Sequence, residues 1–198
     1  MGEQQARLVA ALLAPEVFHL AVSSDLRRAL ATGEAIVAAN ASLQSIEQWE
    51  VARERCFGEF EGKPAENLIN AVKSKSREQL LGWGPVGGET GMEFRGRVGR
   101  FLEQLGVKVE VMEQQEPVVL LTTHGGFIKE LNHVLAEGGC AMPGKPGEHG
   151  RICPNTGVSR YRLELGQAGS LVSAQCSQLH HQNHLRGEER PEPVNYGL

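Results

Sequence analysis

Apolar residues recur along this chain with two spacings, and the two alternate. Val9, Leu12 and Leu13 stand at i, i+3 and i+4, the stripe of an amphipathic helix over residues 3–13. Pro15 closes it, and the run Val17-Phe-His-Leu-Ala-Val22 follows as a short buried strand. Ser23-Ser24-Asp25 then offers side-chain oxygens for the start of a helix from Leu26 to about residue 39. A strand is predicted over residues 45–51 and a helix over 65–80, behind Pro64. Phe94, Val98, Phe101, Leu102 and Leu105 mark a strong helix at 3.6 periodicity. Residues 117–123 form a continuous apolar run, the signature of a strand buried on both faces. It stops at His124-Gly125-Gly126, and Ile128, Leu131 and Leu135 trace the next helix. Tyr161, Leu163 and Leu165 alternate with Arg160, Arg162 and Glu164, a half-buried strand over residues 158–165, and residues 171–176 form a last strand. Residues 82–88 and 140–155, rich in glycine and proline, read as loops.

Strands alternating with helices mean an α/β protein with a mostly parallel sheet. One domain is expected over residues 1–179, followed by a polar tail over 180–198. The chain opens on a helix, whereas a doubly wound domain normally opens on a strand.

Composition narrows the function classes. Hydrophobic residues make up 40% of 198, enough for a core. Lys+Arg 20 against Asp+Glu 24 gives a net charge of -4, so nothing advertises a nucleic-acid partner, and phosphate chemistry has to come from a few local arginines. Cys56, Cys140, Cys153 and Cys176 lie far apart with no C-x-x-C pair and read as reduced thiols in a cytoplasmic protein. No apolar run is long enough for membrane insertion, no signal-peptide core is present, and a monomer is expected. The sequon Asn40-Ala41-Ser42 has no meaning without secretion.

Three segments end buried strands in polar residues, where open α/β sheets keep their sites. They are residues 23–28, residues 52–63 and Thr122-Thr123-His124-Gly125-Gly126. With parallel strands, Arg28, Glu54 and His124 converge at one sheet edge. A guanidinium binds phosphate bidentately, an imidazole donates to a non-bridging oxygen, and a carboxyl group protonates a leaving alkoxide; together they describe a phosphoester site. Plainer readings stand beside this one. Arg28 at a helix start fits a solvated surface group, and Arg53-Glu54-Arg55 fits an ion-pair network. His124 between a buried strand and two glycines points more firmly to close backbone approach.

Other motif matches are set aside. Gly82-x-Gly84-x-x-Gly87 has dinucleotide spacing but follows a helix and contains Pro85. His124-Gly-Gly has no G-x-S-x-G to serve. His180-His181-x-x-His184, and Cys140 with His149 and Cys153, lack the surroundings of a metal site, so neither a metal nor a cofactor is expected.

At these residues the sequence resembles the histidine phosphatase, or phosphoglycerate-mutase-like, superfamily, and within it the fructose-2,6-bisphosphatase-like branch. The resemblance rests on Ser23-Ser-Asp-Leu-Arg-Arg28, on Arg53-Glu-Arg-Cys-Phe-Gly-Glu-Phe-Glu-Gly-Lys63, on Gly87-Gly-Glu-Thr90, on Thr123-His-Gly125 and on Pro154-Asn-Thr-Gly157, and extends over residues 178–187. It implies a three-layer sandwich and a metal-free phosphatase with a phosphohistidine intermediate, acting on a small phosphorylated sugar: the 2-phosphate of fructose-2,6-bisphosphate, whose hydrolysis restrains glycolysis. Carried over, Arg28 binds the transferring phosphoryl group with Gly125 beside it, Glu54 donates the proton, and His124 stabilises the oxyanions. The cytoplasm is the expected location, with nuclear or mitochondrial association also implied.

The sequence departs from the family at one point. The nucleophilic histidine of the family stands in an Arg-His-Gly motif closing the first strand, and no such motif is present; His19 alone precedes His124. The expectation is therefore a truncated chain whose sheet lacks its first, central strand, between the strands of residues 117–123 and 158–165. Those two strands are expected to pair antiparallel across the gap if the chain folds. A catalytically inactive form that binds phosphosugars or a protein, and a broad-specificity sugar-phosphate phosphatase, stay open as alternatives.

Overall fold

The computed structural model describes residues 2–144, 147–166 and 170–187. Helices α1 (Gly2–Leu13) and α2 (Arg27–Ala39) flank strand β1 (Leu20–Ser23) in the chain. Strand β2 (Glu47–Gln48) leads into a 3-10 turn at Glu50–Ala52 and a second at Gly58–Phe60. Helices α3 (Ala65–Val72), α4 (Arg77–Gly82) and α5 (Gly91–Glu110) follow, then β3 (Val119–Thr122), α6 (Gly125–Glu137), β4 (Val158–Leu165) and β5 (Leu171–His181).

The sheet β2-β1-β3 is parallel, with Leu20 opposite Val119 and Ser23 opposite Thr122. Alternation along its strands builds three layers. Ala21 and Leu120 face α1 and α2, where Val9, Ala10, Leu13, Phe18 and Ile36 pack. Leu20, Val22, Val119 and Leu121 face α5 and α6, where Phe94, Val98, Phe101, Phe127, Leu131 and Leu135 pack with Trp49. Edge-on ring contacts, Trp49–Phe101 at 5.9 Å and Phe101–Phe127 at 5.3 Å, stitch β2, α5 and α6 together. Asn40 is buried, and its amide donates to the carbonyls of Leu13 (3.0 Å) and Glu16 (2.8 Å), tying the end of α2 to the end of α1.

Several boundaries differ from the sequence reading. The strand over 45–51 shrinks to two residues because Trp49 turns into the core and the chain coils behind it. The helix over 65–80 is two helices, since Ser76 accepts from the Gln79 N–H while Gln79 reaches back to the Ser76 N–H, a capping box that starts α4 anew. Thr90 and Glu93 start α5 in the same way. The expected tail from His180 is partly structured: β5 runs to His181, and Leu185 in the turn Asn183–Leu185 is buried. Residues 188–198 of that tail lie outside the described residues.

The two strands expected to close on each other do not. Among the described residues β3 pairs with β1 alone and β4 with β5 alone, the latter antiparallel. Between them runs a trough, part of a cavity of about 2980 Å³ lined by Val119, Leu121, Tyr161 and Leu163 and opening toward Arg28, Glu54 and His124. Both strands rest on the same helix layer: Val119 and Leu121 of β3 and Tyr161 and Leu163 of β4 pack against the α5/α6 core cluster, and the Tyr161 hydroxyl donates to Asn132 Oδ1 on α6 (2.6 Å), which fixes β4 to that layer on its own.

Candidate functional site

The C-terminal ends of β1 and β3 lie side by side and deliver two polar segments to one edge, as parallel pairing requires. Ser24 N–H donates to Thr122 O (2.9 Å), extending the ladder one step past the strands. There the His124 Nε2 atom lies 2.8 Å from Ser24 Oγ, both residues buried. Burial, with Arg28 and Arg97 adding like charge, pushes the His124 imidazole down to about 4, so it is neutral near pH 7.

Glu54 arrives from the loop after β2. Its Oε2 accepts from Gly126 N–H (3.0 Å) in the first turn of α6 and its Oε1 from Arg55 N–H (3.0 Å). Burial holds the Glu54 carboxyl above the usual carboxylate range, against the pull of those two N–H groups, Arg28 and Arg97. It therefore keeps a proton to higher pH than an ordinary glutamic acid, the property a proton donor to a leaving oxygen needs. Arg28, in the first turn of α2, is exposed, and its charge acts on both Glu54 and His124. It has no ion-pair partner among the described residues. The structure thus brings Arg28, Glu54 and His124 within electrostatic reach of one another on the lining of the cavity.

Arg53 and Arg55, their neighbours in sequence, point elsewhere. Arg53 forms a two-pronged pair with Asp25, Nε to Oδ1 at 2.7 Å, which holds the Asp25 carboxyl below the usual range. Arg55 is buried between the Phe57 and Trp83 rings and donates to the carbonyls of Trp83 (2.7 Å) and Glu89 (3.2 Å). The ion-pair reading of Arg53-Glu54-Arg55 thus holds for Arg53, whereas Arg55 takes backbone carbonyls and ring faces and Glu54 between them turns toward Gly126.

The paired glycines divide their work. A Cβ on Gly126 would sit 2.3 Å from Glu54 Oε1, so the bare residue makes room for the carboxylate. A Cβ on Gly125 would meet Ile152 Cγ2 at 2.5 Å and Cys153 O at 2.8 Å, which makes Gly125 a packing contact with the loop before β4. The loop of residues 82–88 is structural too: Glu59 N–H donates to Val86 O (2.9 Å) and Glu89 N–H to Cys56 O (2.9 Å), bracing the chain that carries Glu54.

Sequence reasoning missed Ser24, Gly126 and Arg97. The Gly125-Gly126 doublet signalled close approach but not which partner approaches. Arg97 carried a faint signal: it follows Phe94 by three residues and so falls within the apolar stripe of α5. A His184 ring nitrogen lies 3.1 Å from Thr156 Oγ1. Among the described residues no three His, Cys, Asp or Glu side chains converge as metal ligands, and no helix is long and apolar enough to cross a membrane.

A cation, a neutral imidazole and a protonatable carboxyl group around one opening, fed by helix and strand ends, suit a phosphoryl group and its leaving oxygen. Comparison with known proteins places the chain in a family. Fructose-2,6-bisphosphatase TIGAR B of Danio rerio is 28% identical over 203 residues, covering 87% of this chain and 79% of that protein. Fructose-2,6-bisphosphatase TIGAR of Mus musculus is 25% identical over 231 residues, covering 94% and 85%. A mycobacterial glucosyl-3-phosphoglycerate phosphatase shares the fold with a TM-score of 0.68 at 21% identity, over 90% of this chain and 85% of that one. A phosphoglycerate mutase from Bacillus anthracis does so with a TM-score of 0.66 at 22% identity, over 86% and 77%. The sequence pattern of the histidine phosphatase superfamily (branch 1) matches residues 1–173, and the chain belongs to that superfamily.

Proposed function

We propose that this site takes a small phosphorylated sugar and serves hydrolysis of its phosphomonoester, with the 2-phosphate of fructose-2,6-bisphosphate as the first candidate. The observation that carries the reading is Glu54: a half-buried glutamate whose carboxyl accepts the Gly126 N–H in the first turn of α6, is held above the usual carboxylate range by desolvation, and lies within reach of the charge of Arg28. In this reading Arg28 anchors the phosphoryl oxygens, neutral His124 donates to one of them, and Glu54 protonates the departing sugar oxygen. The substrate follows the fructose-2,6-bisphosphatase relatives, and the same reading includes a cytoplasmic monomer that restrains glycolysis. A broad-specificity sugar-phosphate phosphatase uses the same three side chains.

One observation favours a second reading, binding without efficient turnover. A phosphohistidine route needs an in-line imidazole, because Arg28 and a lateral His124 bind phosphate but do not attack it. His19 does not supply it. It stands before the first residue of β1, at the opposite end of the strand from Ser24, and its Nδ1 accepts the Val118 N–H (3.0 Å).

Incubation of the purified chain with fructose-2,6-bisphosphate, reading phosphate release and calorimetric binding together, separates the two. Release abolished in Glu54→Gln and His124→Ala supports hydrolysis. Saturable binding without release, lost in Arg28→Ala, supports the second reading, and the absence of both overturns each.

A further inference from the structure

Arg97 does not line the cavity that Arg28 and Glu54 line, yet every hydrogen its guanidinium can donate is committed. Nη1 donates to Val51 O (3.0 Å) and Arg53 O (2.6 Å), and Nη2 to Glu54 O (3.0 Å) and Glu89 Oε2 (2.6 Å). Nε donates to Glu89 Oε1 (2.8 Å), which uses the last of the five N–H donors an arginine has. Glu89 in turn accepts from Cys56 N–H (2.9 Å) through Oε2. Three carbonyls from residues 51–54 and one N–H from residue 56 thus converge on a single ion pair. Among the described residues this stretch has no strand partner: β2 ends at Gln48 and a 3-10 turn follows over Glu50–Ala52. Its backbone polar groups need partners from elsewhere, and α5 supplies them through Arg97. The guanidinium is itself fixed, little exposed and seated 4.9 Å from the Phe94 ring centroid.

We propose that Arg97 is a positioning residue of the site: it shapes the 51–56 loop from behind so that the Glu54 carboxyl meets the Gly126 N–H, without contacting substrate. The inference rests on Glu54 being the proton donor. Lysine does not replace it, because a point-like ammonium has three donors and no planar fork to span carbonyls on two sides of a turn.

The test uses the full chain and its Arg97→Lys variant, with Glu54 followed by carbon-detected NMR titration and assigned by Glu54→Gln. The charge is kept in Arg97→Lys, so a purely electrostatic role leaves the Glu54 titration where it is. Positioning predicts that the carboxyl swings into solvent and titrates lower, at the ordinary carboxylate value, with the far-UV circular dichroism unchanged. Where the unaltered chain releases phosphate, kcat falls by on the order of 10²-fold with KM unchanged. If Arg97→Lys does not fold, Glu89→Asp, which keeps the charge partner and shortens its reach to the fork, is read in the same way. An unchanged Glu54 titration in a folded variant overturns the proposal. Because that titration is read without turnover, an inactive chain refutes the hydrolytic reading alone.

Discussion

The Nε2 atom of His124 and the hydroxyl of Ser24 face each other at 2.8 Å across the ends of two adjacent parallel strands. Ser24 Oγ also accepts the Leu26 N–H (3.2 Å), so the hydroxyl is fixed from the start of α2 while it fixes the imidazole. One ring nitrogen is thus held by the protein, and in the proposed function the other meets a phosphoryl oxygen. The pair places the imidazole without a charged partner, which fits a ring kept neutral by burial.

Ser24→Ala strips that arrangement of its central atom. Both Nε2 of His124 and the Leu26 N–H lose a partner, and a buried polar group left unmade costs about 1–3 kcal/mol. The variant is expected to unfold at lower urea concentration with an unchanged m-value. Nitrogen-15 correlation spectra of the His124 ring should show mixed tautomers where the parent shows one. A single unchanged tautomer would contradict the role given to the serine.

The depressed His124 pKa fixes a pH dependence of stability. In the unfolded chain the ring titrates near 6.5, and in the folded chain near 4. Between those values the unfolded state binds the extra proton, so stability is lost as pH falls from about 6.5 to about 4. A shift of this size amounts to about 3 kcal/mol at 1.36 kcal/mol per pKa unit. Glu54 acts in the opposite sense: its raised folded pKa means that the fold gains stability as pH falls through that value toward 4.5, the usual carboxylate figure. Urea unfolding from pH 7 to pH 4 should therefore show an acid-side loss that His124→Gln removes. An identical acid limb in both proteins would show that His124 is not its source.

Gly126 offers a clean separation of stability from chemistry. In a helix, Gly→Ala at a compatible position stabilises by about 0.4–1 kcal/mol. Gly99, where a Cβ meets nothing within 4 Å, should behave so. At Gly126 the same methyl lands 2.3 Å from Glu54 Oε1 and 2.9 Å from its Cδ, a contact relieved when the Glu54 side chain rotates away. Gly126→Ala is expected to melt close to the parent while any Glu54-dependent phosphate release is lost. Gly99→Ala should melt higher and keep that release. A Gly126→Ala protein with full release would remove Glu54 from its assigned place.

The parts of this molecule legible in the sequence are those set by local periodicity. The stripe at Phe94, Val98, Phe101 and Leu105 and the alternation at Tyr161, Leu163 and Leu165 each match an element, because burial on one face writes itself at a fixed spacing. Arg28, Glu54 and His124 were findable because strand ends in parallel sheets share an edge. What stayed hidden is held by contacts between distant segments. Nothing local says that Arg53 belongs to Asp25 rather than to substrate, or that Arg97 belongs to the carbonyls of Val51, Arg53 and Glu54. The break between α3 and α4 was missed because the helical stripe continues across a Ser76–Gln79 capping box, which propensity alone does not register.

The trough between β3 and β4 makes a prediction at single-residue resolution. His19 N–H donates to Val118 O (2.8 Å) and Ser24 N–H to Thr122 O (2.9 Å), so the polar groups of residues 118, 120 and 122 face β1. In a parallel ladder, alternate residues turn their N–H and C=O groups to opposite sides, and those of Val119 and Leu121 therefore face the trough. Their side chains nonetheless pack into the α5/α6 layer, so side-chain burial and amide protection are decoupled on this strand. Native-state hydrogen exchange should find Leu120 and Thr122 slow and Val119 and Leu121 fast, an alternation that a strand paired on both sides does not show. Uniform protection along Val119–Thr122 would mean that the outer edge of β3 is paired in solution. Were protection at Val119 and Leu121 to rise with protein concentration, the pairing would come from a second chain, the route by which an unpaired strand edge drives association.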